Sequence, residues 1–588
     1  GHVMKKLINR PETVVSEMCN GIAMTNPDVV FYPKYKMIQR KDLNPDKVSL
    51  ISGGGSGHEP AHAGYVGRGM LDAAVCGDVF ASPSQIQVYQ AIKETKSKKG
   101  TLLIIKNYSG DVMNFKNGAA LAAEEGIDVD YVKVSDDIAV SDSLYTVGRR
   151  GVAGTVLVHK IAGAAAENGC SLEEVKQAAQ SAADAVRSLG FAYSSCTVPA
   201  KGSPTFNIGE DEMEYGVGIH GEPGIRRENI VSADKMAERM LNAILKDLDV
   251  KKENEVVLLV NGFGSTPLQE IYIFSDALLK CLDQRKVNVY RSFAGNFMTS
   301  IDMLGASVSV MKLDGTLKKY LDMPSEALAF RVDGPVPPIR YRSVSTGENE
   351  NVPEEFTRES SWGEVKENRI SLNNIKYMVA EMAECILKNE VAFCELDSFA
   401  GDGDFGMSVA KGFLQLKREW DMILTEEAET IGEFLKACSL VIMEYCGGAS
   451  GPIWGSAFRA AGFQAGDRVS LDTSEFAAMM QAAVVGIQKT GERSFGRGAV
   501  VGDKTLIDAL VPCVDSLNAS SDSGSSVKEM LEKGAAAAVE GAEKTAGFAA
   551  RMGRAGVVGK RSLGHPDAGA YALGVIFTEV SGSLKYNL

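Results

Sequence analysis

The sequence predicts a two-part chain, an N-terminal α/β region followed by an all-α region of roughly seven or eight helices. Three observations carry this prediction. Over the first 330 or so residues, short apolar runs alternate with amphipathic segments, the signature of βα units. Glycine-rich turns follow several of those runs directly. Beyond a proline-containing polar stretch the β-branched runs disappear and apolar residues recur at helical spacing. At 588 residues the chain is too long for one core and suggests about three or four domain-sized units.

In chain order, candidate strands are Val48–Ile51, Thr101–Ile105, Val129–Val134, Glu255–Val260, Val287–Tyr290 and Ala306–Met311, with helical patterns at Leu172–Leu189 and Ala233–Leu248. The turns SGGGSG after Ile51, KNYSGD after Ile105 and NGFGST after Val260 lie where open α/β sheets bind ligands, past the carboxyl ends of strands. Gly334 to Trp362 holds four prolines among polar residues and reads as a linker. Helical spacing then runs through Leu372–Lys388, Met407–Leu424, Ile431–Tyr445, Ser474–Thr490, Asp503–Ser516, Val527–Thr545 and Ala568–Val580.

Hydrophobic residues at 45% and charged residues at 23% describe an ordinary globular protein. A net charge of -14 argues against a nucleic-acid partner, which needs a basic face. No apolar run approaches the roughly 20 residues of a spanning helix, so no membrane partner is expected. No secretory signal is read, and Gly1-His2-Val3 before Met4 is set aside. Ten cysteines without a CxxC pair fit reduced thiols, hence a cytoplasmic location.

Two histidines sit on unusually bare backbone. YGVGIHGEPG places His220 among Gly216, Gly218, Gly221 and Gly224, and GGGSGHEPAH places His58 in a similar turn, with an ordinary turn histidine as its alternative; the chain has only six histidines. His62 and His159 read as structural. Lys106 and Asp111 flank NYSG at a strand end, where a lysine can orient an oxygen and an aspartate can accept a hydroxyl proton, or the two can form a salt bridge or cap a turn. In DSFAGDGDFG, Asp397, Asp402 and Asp404 stand at i, i+5 and i+7 in a glycine-broken loop. Such hard oxygens suit Mg²⁺, and the alternative is a solvated acidic turn. An EF-hand fits poorly, since a ligand position falls on Gly406 and no glutamate closes the loop. CGGASGP, Cys446–Pro452, can cradle phosphate or end a helix. Walker-type loops fail: GRGAVVGDKT inserts Asp503 before Lys504, and AGVVGKRS has Arg561 in place of Ser or Thr. If ATP is used, carboxylates and glycine loops hold it.

Together these motifs resemble the dihydroxyacetone kinases over nearly the whole chain and in the family's order. SGGGSGHEPAHAG, AAVCGDVFASPS, KNYSGDVMNF, GVAGTVLVHKIAG and MEYGVGIHGEPG are similar to the K domain; DSFAGDGDFG, GGASGP, VGDKTLIDAL and GRAGVVGKRSLGHPDAGA are similar to the L domain. The resemblance implies a K domain of two α/β subdomains at 1–333, a linker at 334–364 and an L domain at 365–588, a helical barrel of about eight helices. It implies the single-chain, ATP-dependent form. His220 then bonds the substrate carbonyl as a hemiaminal, selecting carbonyl compounds over alcohols. Gly55, Ser56, Gly57, His58, Lys106 and Asp111 surround the sugar, with Asp111 as base and His58 as hydrogen-bonding acid or orienter. Asp397, Asp402 and Asp404 hold two Mg²⁺ ions that bridge the ATP phosphates. Phe405, Gly406, Met407, Ala449, Ser450, Thr505, Leu506, Asp567, Ala568 and Gly569 contact nucleotide.

This sequence departs from the family at Phe405 and Gly406-Met407, where a polar side chain near the phosphates is lost, at Ala449 of GGASG, and at Ala568 of DAG. The resemblance further implies a homodimer, with sugar and nucleotide sites on separate domains brought face to face, for example between the chains of the dimer. Dihydroxyacetone is the leading substrate, with glyceraldehyde beside it and a ketose such as erythrulose as the alternative; FAD cyclisation is a side activity of some fused members. A non-catalytic sugar sensor would be expected to lose His220, Asp111 or a metal carboxylate, and all are present. A fatty-acyl kinase has no use for the His220 and Asp111 constellation.

Overall fold

The computed structural model describes residues 4–143, 145–344, 351–401, 403–551 and 562–587. It divides into two compact units, one ending at Ser343 and one beginning at Val344.

The first unit opens on α1 (Val14–Thr25) and holds two six-stranded sheets. One takes β1 (Val29–Tyr32), β2 (Met37–Arg40), β3 (Ser49–Ser56), β4 (Ala73–Val79), β5 (Thr101–Lys106) and β6 (Val129–Val134) in the order β1-β2-β4-β3-β5-β6. Strands β4, β3, β5 and β6 are mutually parallel. Such strands are covered on both faces, which is why TLLII reads as an unbroken apolar run. Its residues alternate nonetheless. Leu103 and Ile105 face α2 (Gln85–Glu94) and α3 (Ser109–Glu124), while Leu102 and Ile104 face α4 (Thr155–Glu167) and α5 (Leu172–Asp184). Helix α4, VLVHKIAGAAA at its centre, is buried on every side.

The second sheet takes β7 (Val186–Ala192), β8 (Glu212–Tyr215), β9 (Arg226–Asn229), β10 (Glu255–Gly262), β11 (Asn288–Gly295) and β12 (Gly305–Lys312) in the order β11-β10-β12-β7-β8-β9. One face packs on α6 (Ala233–Asp247) and α7 (Leu268–Gln284). Val257, Leu259 and Met311 on the other face join the core of the first sheet. The helical pattern read across Leu172–Leu189 is therefore two elements. A capping box at Ser171 and Glu174 starts α5, the helix ends at Asp184, and Leu189 pairs with Val308 in the sheet interior. Pairing with β12 overrides the local helical spacing. Strands β8 and β9 carry no apolar run because EMEY and RREN are charged; β9 is the edge strand, where charge is common.

The second unit is all-α, with nine α-helices among the described residues: α9 (Leu372–Lys388), α10 (Glu390–Asp397), α11 (Phe405–Glu426), α12 (Ile431–Tyr445), α13 (Ser450–Ala465), α14 (Thr473–Phe495), α15 (Ile507–Asp522), α16 (Val527–Lys544) and α17 (Ala568–Ser583). Here α8 (Gly315–Leu321) belongs to the first unit. Two helices lie outside the seven read from spacing. Short α10 runs straight on from α9, and α13 opens on Ser450-Gly451-Pro452, residues that signal a loop. Proline is tolerated there because first-turn N–H groups have no intrahelical partner. The helices enclose an apolar cavity of about 170 Å³ lined in part by Met378, Phe458, Met479, Leu510 and Phe577. Among the described residues no helix is long and apolar enough to cross a membrane.

Candidate active site

Strand β3 runs on to β4 on one side while its other neighbour, β5, runs on to β6 on the other, so the crevice past the carboxyl ends of β3 and β5 is a topological switch point. Glycine 54 lies in β3, Lys106 ends β5, and Asp111 occupies the first turn of α3. A Cβ built on Gly54 would lie 3.0 Å from Lys106 Nζ and 3.5 Å from Asp111 Oδ2, so all three meet at one point and only glycine leaves it open. Burial lowers the Lys106 ammonium pKa, against the pull of Asp111 and Asp136. Burial raises that of Asp111, with Lys106 and the Ser82 hydroxyl holding it back. A carboxylate made more basic in this way is suited to accept a hydroxyl proton.

The two histidines converge. The His58 and His220 rings stand 4.9 Å apart and nearly perpendicular, at 88°. Tyr108 meets His220 edge-on at 4.4 Å, and Phe80 does so at 5.5 Å. His58 Nδ1 donates to the Thr299 carbonyl at 2.9 Å, which leaves Nε2 as an acceptor in the neutral ring. Burial drives the His58 pKa well below its ordinary value, and the charge of Lys106 adds to this. His220 is pushed down to about 3 by burial, then by Lys106 and Arg150. Both rings are therefore neutral near pH 7, the form in which an imidazole nitrogen is nucleophilic.

Four buried polar atoms here have no protein partner: His58 Nε2, Lys106 Nζ, Tyr108 Oη and His220 Nδ1. Buried polar groups are nearly always satisfied, so such a concentration marks a place for a polar ligand. The remaining sugar-site candidates are partly committed. Ser56 Oγ donates to the Gly77 carbonyl at 2.7 Å. The Gly57 N–H, at a φ of 107° that favours glycine, is taken by the Glu59 carboxylate at 3.0 Å. Gly55 lies flush against the Phe80-Ala81 backbone. His62 and His159 bond each other at 2.9 Å in the interior.

The residues that hold His220 escaped the sequence reading. Arg150 pairs with Asp137 at 2.8 Å and Glu222 at 2.9 Å and donates to the Gly216 carbonyl at 3.0 Å. Glu222 in turn accepts the backbone N–H of His220 at 3.1 Å. Burial pushes Asp137 up to about 6 despite its arginine. The glycines make this clamp possible. A Cβ on Gly218 would lie 2.1 Å from Glu222 Oε1, one on Gly224 would lie 2.3 Å from the Tyr215 carbonyl oxygen, and Gly216 and Gly221 both have φ 78°. Arg150 is 66 or more residues from its loop partners, a separation no local motif records.

In the second unit the nucleotide candidates gather at helix N-termini. Phe405 opens α11, Ser450 opens α13, Leu506 caps α15, and Asp567 caps α17 by accepting the Ala570 N–H at 2.9 Å. Backbone N–H groups at such ends favour phosphate. The loops adjoin in pairs: Gly447 N–H donates to the Ser408 carbonyl at 3.1 Å, and a Cβ on Gly569 would lie 3.2 Å from Leu506 Cβ. Asp508 fixes the Thr505 turn by accepting its N–H at 2.8 Å. Gly406 serves packing, since its Cβ would fall 2.0 Å from the Glu390 carbonyl oxygen of α10.

Asp397 ends α10 and accepts the Phe405 N–H at 3.3 Å, while Asp404 sits at the start of α11. Asp402 lies outside the described residues, and among those described no three acidic, histidine or cysteine side chains form a metal cluster. Asp567 is pushed up to about 7 by burial, then by the charges of Asp508 and Asp397. Like charge gathered in this way is what a divalent cation relieves, and carboxylate oxygens are the donors Mg²⁺ takes.

The chain is similar to known proteins along nearly its whole length. The Dak1 domain family matches residues 20–329 and the DAK2 domain family matches 399–582. A triokinase/FMN cyclase of Rattus norvegicus is 34% identical, covering 98% of both chains. An L-erythrulose 1-kinase of Mycolicibacterium smegmatis is 33% identical over 97% of this chain and 98% of its own. The crystal structure of the C. freundii dihydroxyacetone kinase in complex with AMP-PNP and Mg²⁺ superposes with a TM-score of 0.62 at 30% identity, covering 99% of this chain and 100% of that one.

Proposed function

The chain belongs to the dihydroxyacetone kinase family, with both of its domains on one polypeptide, and we propose that it transfers the terminal phosphoryl group of ATP to a short ketose held on His220. Dihydroxyacetone is the leading substrate and glyceraldehyde the second. The observation that carries this reading is the group of four unsatisfied buried polar atoms, one of them Nδ1 of a neutral His220.

In this reading a His220 ring nitrogen adds to the carbonyl carbon, the oxygen gains a proton, and the ring loses the one on its other nitrogen. His58 Nε2, fixed as an acceptor by the Thr299 bond, takes a substrate hydroxyl and orients the sugar. This suits the orienting role expected of His58 better than the acid role, because its pKa lies so far below neutrality. Lys106 steadies a terminal oxygen, and Asp111 accepts the proton of the hydroxyl that attacks phosphorus. The covalent tether confines that hydroxyl to one approach, the main contribution a phosphoryl-transfer site can make. Asp397, Asp402 and Asp404 would hold two Mg²⁺ ions, which when bound neutralise charge on the transferring phosphates. Phe405 to Met407, Ala449-Ser450, Thr505-Leu506 and Asp567 to Gly569 would contact the nucleotide; the four helix N-termini support this. A homodimer rests on the family resemblance alone and is checked by analytical ultracentrifugation.

The test is Mg²⁺-dependent ATP turnover against a panel of short ketoses and aldoses including dihydroxyacetone and erythrulose. Turnover with none of them would sink the reading. Preference for erythrulose would favour the second reading, to which the erythrulose kinase relative points. FAD cleavage, suggested by the triokinase/FMN cyclase relative, uses the nucleotide half alone and should survive His220→Ala.

A further inference from the structure

We propose that Phe80 is a specificity-determining residue whose ring limits how long a carbon chain can lie beside the carbonyl held by His220. The inference rests on the ketose-kinase reading above. Phe80 belongs to the AAVCGDVFASPS segment, to which that reading assigns no chemistry.

Its placement is unusual. Among the described aromatic residues it alone meets both imidazoles, stacking on His58 at 5.4 Å and 20° and meeting His220 edge-on at 5.5 Å and 75°. The ring also lies against Gly57, where a Cβ would fall 2.8 Å from Phe80 Cε1. The backbone at Phe80 has φ 59°, a left-handed conformation that a bulky side chain seldom adopts. The turn itself is held by main-chain bonds, from Phe80 N–H to the Ser56 carbonyl at 2.9 Å and from Ala81 N–H to the Asp78 carbonyl at 3.0 Å. A glycine would make those bonds without strain, so turn geometry does not account for a phenylalanine there.

The shape of a ketose says what the ring does. One hydroxymethyl arm must reach Lys106 and Asp111, which meet at Gly54. Tyr108 borders His220 on that same side, since Lys106 Nζ lies 5.5 Å from the center of its ring. The second arm is left the surface that touches both imidazoles, and that surface is Phe80. Two carbons beyond the carbonyl would press on the ring where one does not.

Two variants test this. Phe80→Gly removes the ring and relieves the left-handed backbone, so the turn keeps its bonds; Phe80→Leu retains an apolar wall of shorter reach. In each, kcat/KM with MgATP is measured for dihydroxyacetone and erythrulose, and calorimetry without nucleotide gives their affinities. The ratio of erythrulose to dihydroxyacetone is expected to rise about tenfold in Phe80→Gly, as for one carbon unit in an apolar pocket, and by less in Phe80→Leu. A ratio within about twofold of the parent in Phe80→Gly overturns the inference even if both activities fall, because a ring that only orients the imidazoles affects both sugars alike. If the parent neither binds nor phosphorylates either ketose, the kinase reading fails and takes this inference with it.

Discussion

His220 is expected to be neutral far below the pH at which a free imidazole protonates, because its folded-state pKa is about 3 against an ordinary value near 6.5. Ketose affinity measured by calorimetry should therefore hold from pH 8 down to about 6.5, where an exposed histidine would have lost half its nucleophilic form, and a fall nearer pH 6 would belong to Asp137 of the Arg150 clamp. His220→Ala should lower kcat/KM by about a thousandfold or more, since the tether supplies the effective concentration of the attacking hydroxyl. Asp111→Asn tests a different role. It keeps the shape and the Ser82 bond but cannot take a proton, so single-turnover rates should fall by about 10²–10⁴ while ketose affinity changes little. Loss of affinity in step with rate would make Asp111 a binding residue instead of a base.

The elements contribute by where they end. Strands β3 and β5 deliver Gly54 and Lys106 to one crevice, the first turn of α3 adds Asp111, and the turn after β4 brings Phe80 and Ser82 across to them. The β8–β9 connection carries His220 and is held by Arg150 from outside its own hairpin. Gly224→Ala should be costly although its φ is unremarkable, because the new methyl meets a strand carbonyl at 2.3 Å that cannot yield. A loss of about 1–3 kcal/mol in urea unfolding is expected, with ketose affinity falling further than stability predicts as the loop shifts. Gly126→Ala is a useful contrast: space around it is open, so what its positive φ costs is backbone strain without a clash.

Across the whole molecule, the buried histidines make the two units respond differently to acid. His58, His62, His159 and His220 all lie in the first unit with lowered pKa values, whereas His565 is the one described histidine of the second. Below about pH 6.5 the unfolded chain binds protons that the folded unit refuses, so each group withdraws about 1.4 kcal/mol of stability per pH unit. The raised carboxylates of Asp111, Asp136 and Asp137 take up protons earlier in the folded state and offset part of this. Calorimetry should resolve two transitions, with the one belonging to the first unit moving down faster between pH 6.5 and 5; equal shifts would contradict the burial of neutral histidines. The sequence by itself determined the α/β-then-α order, the strands that are buried on both faces, and the short motifs holding His58, Lys106, Asp111, His220 and the acidic loop, because each of these is written in a few consecutive residues. Only the tertiary structure decided that His58 and His220 stand ring to edge, that Arg150 clamps the histidine loop, that Phe80 walls both imidazoles, and that Val186–Leu189 joins a sheet despite its helical spacing. Those outcomes depend on partners tens to hundreds of residues away, and contact free energy at that separation leaves no local periodicity to read.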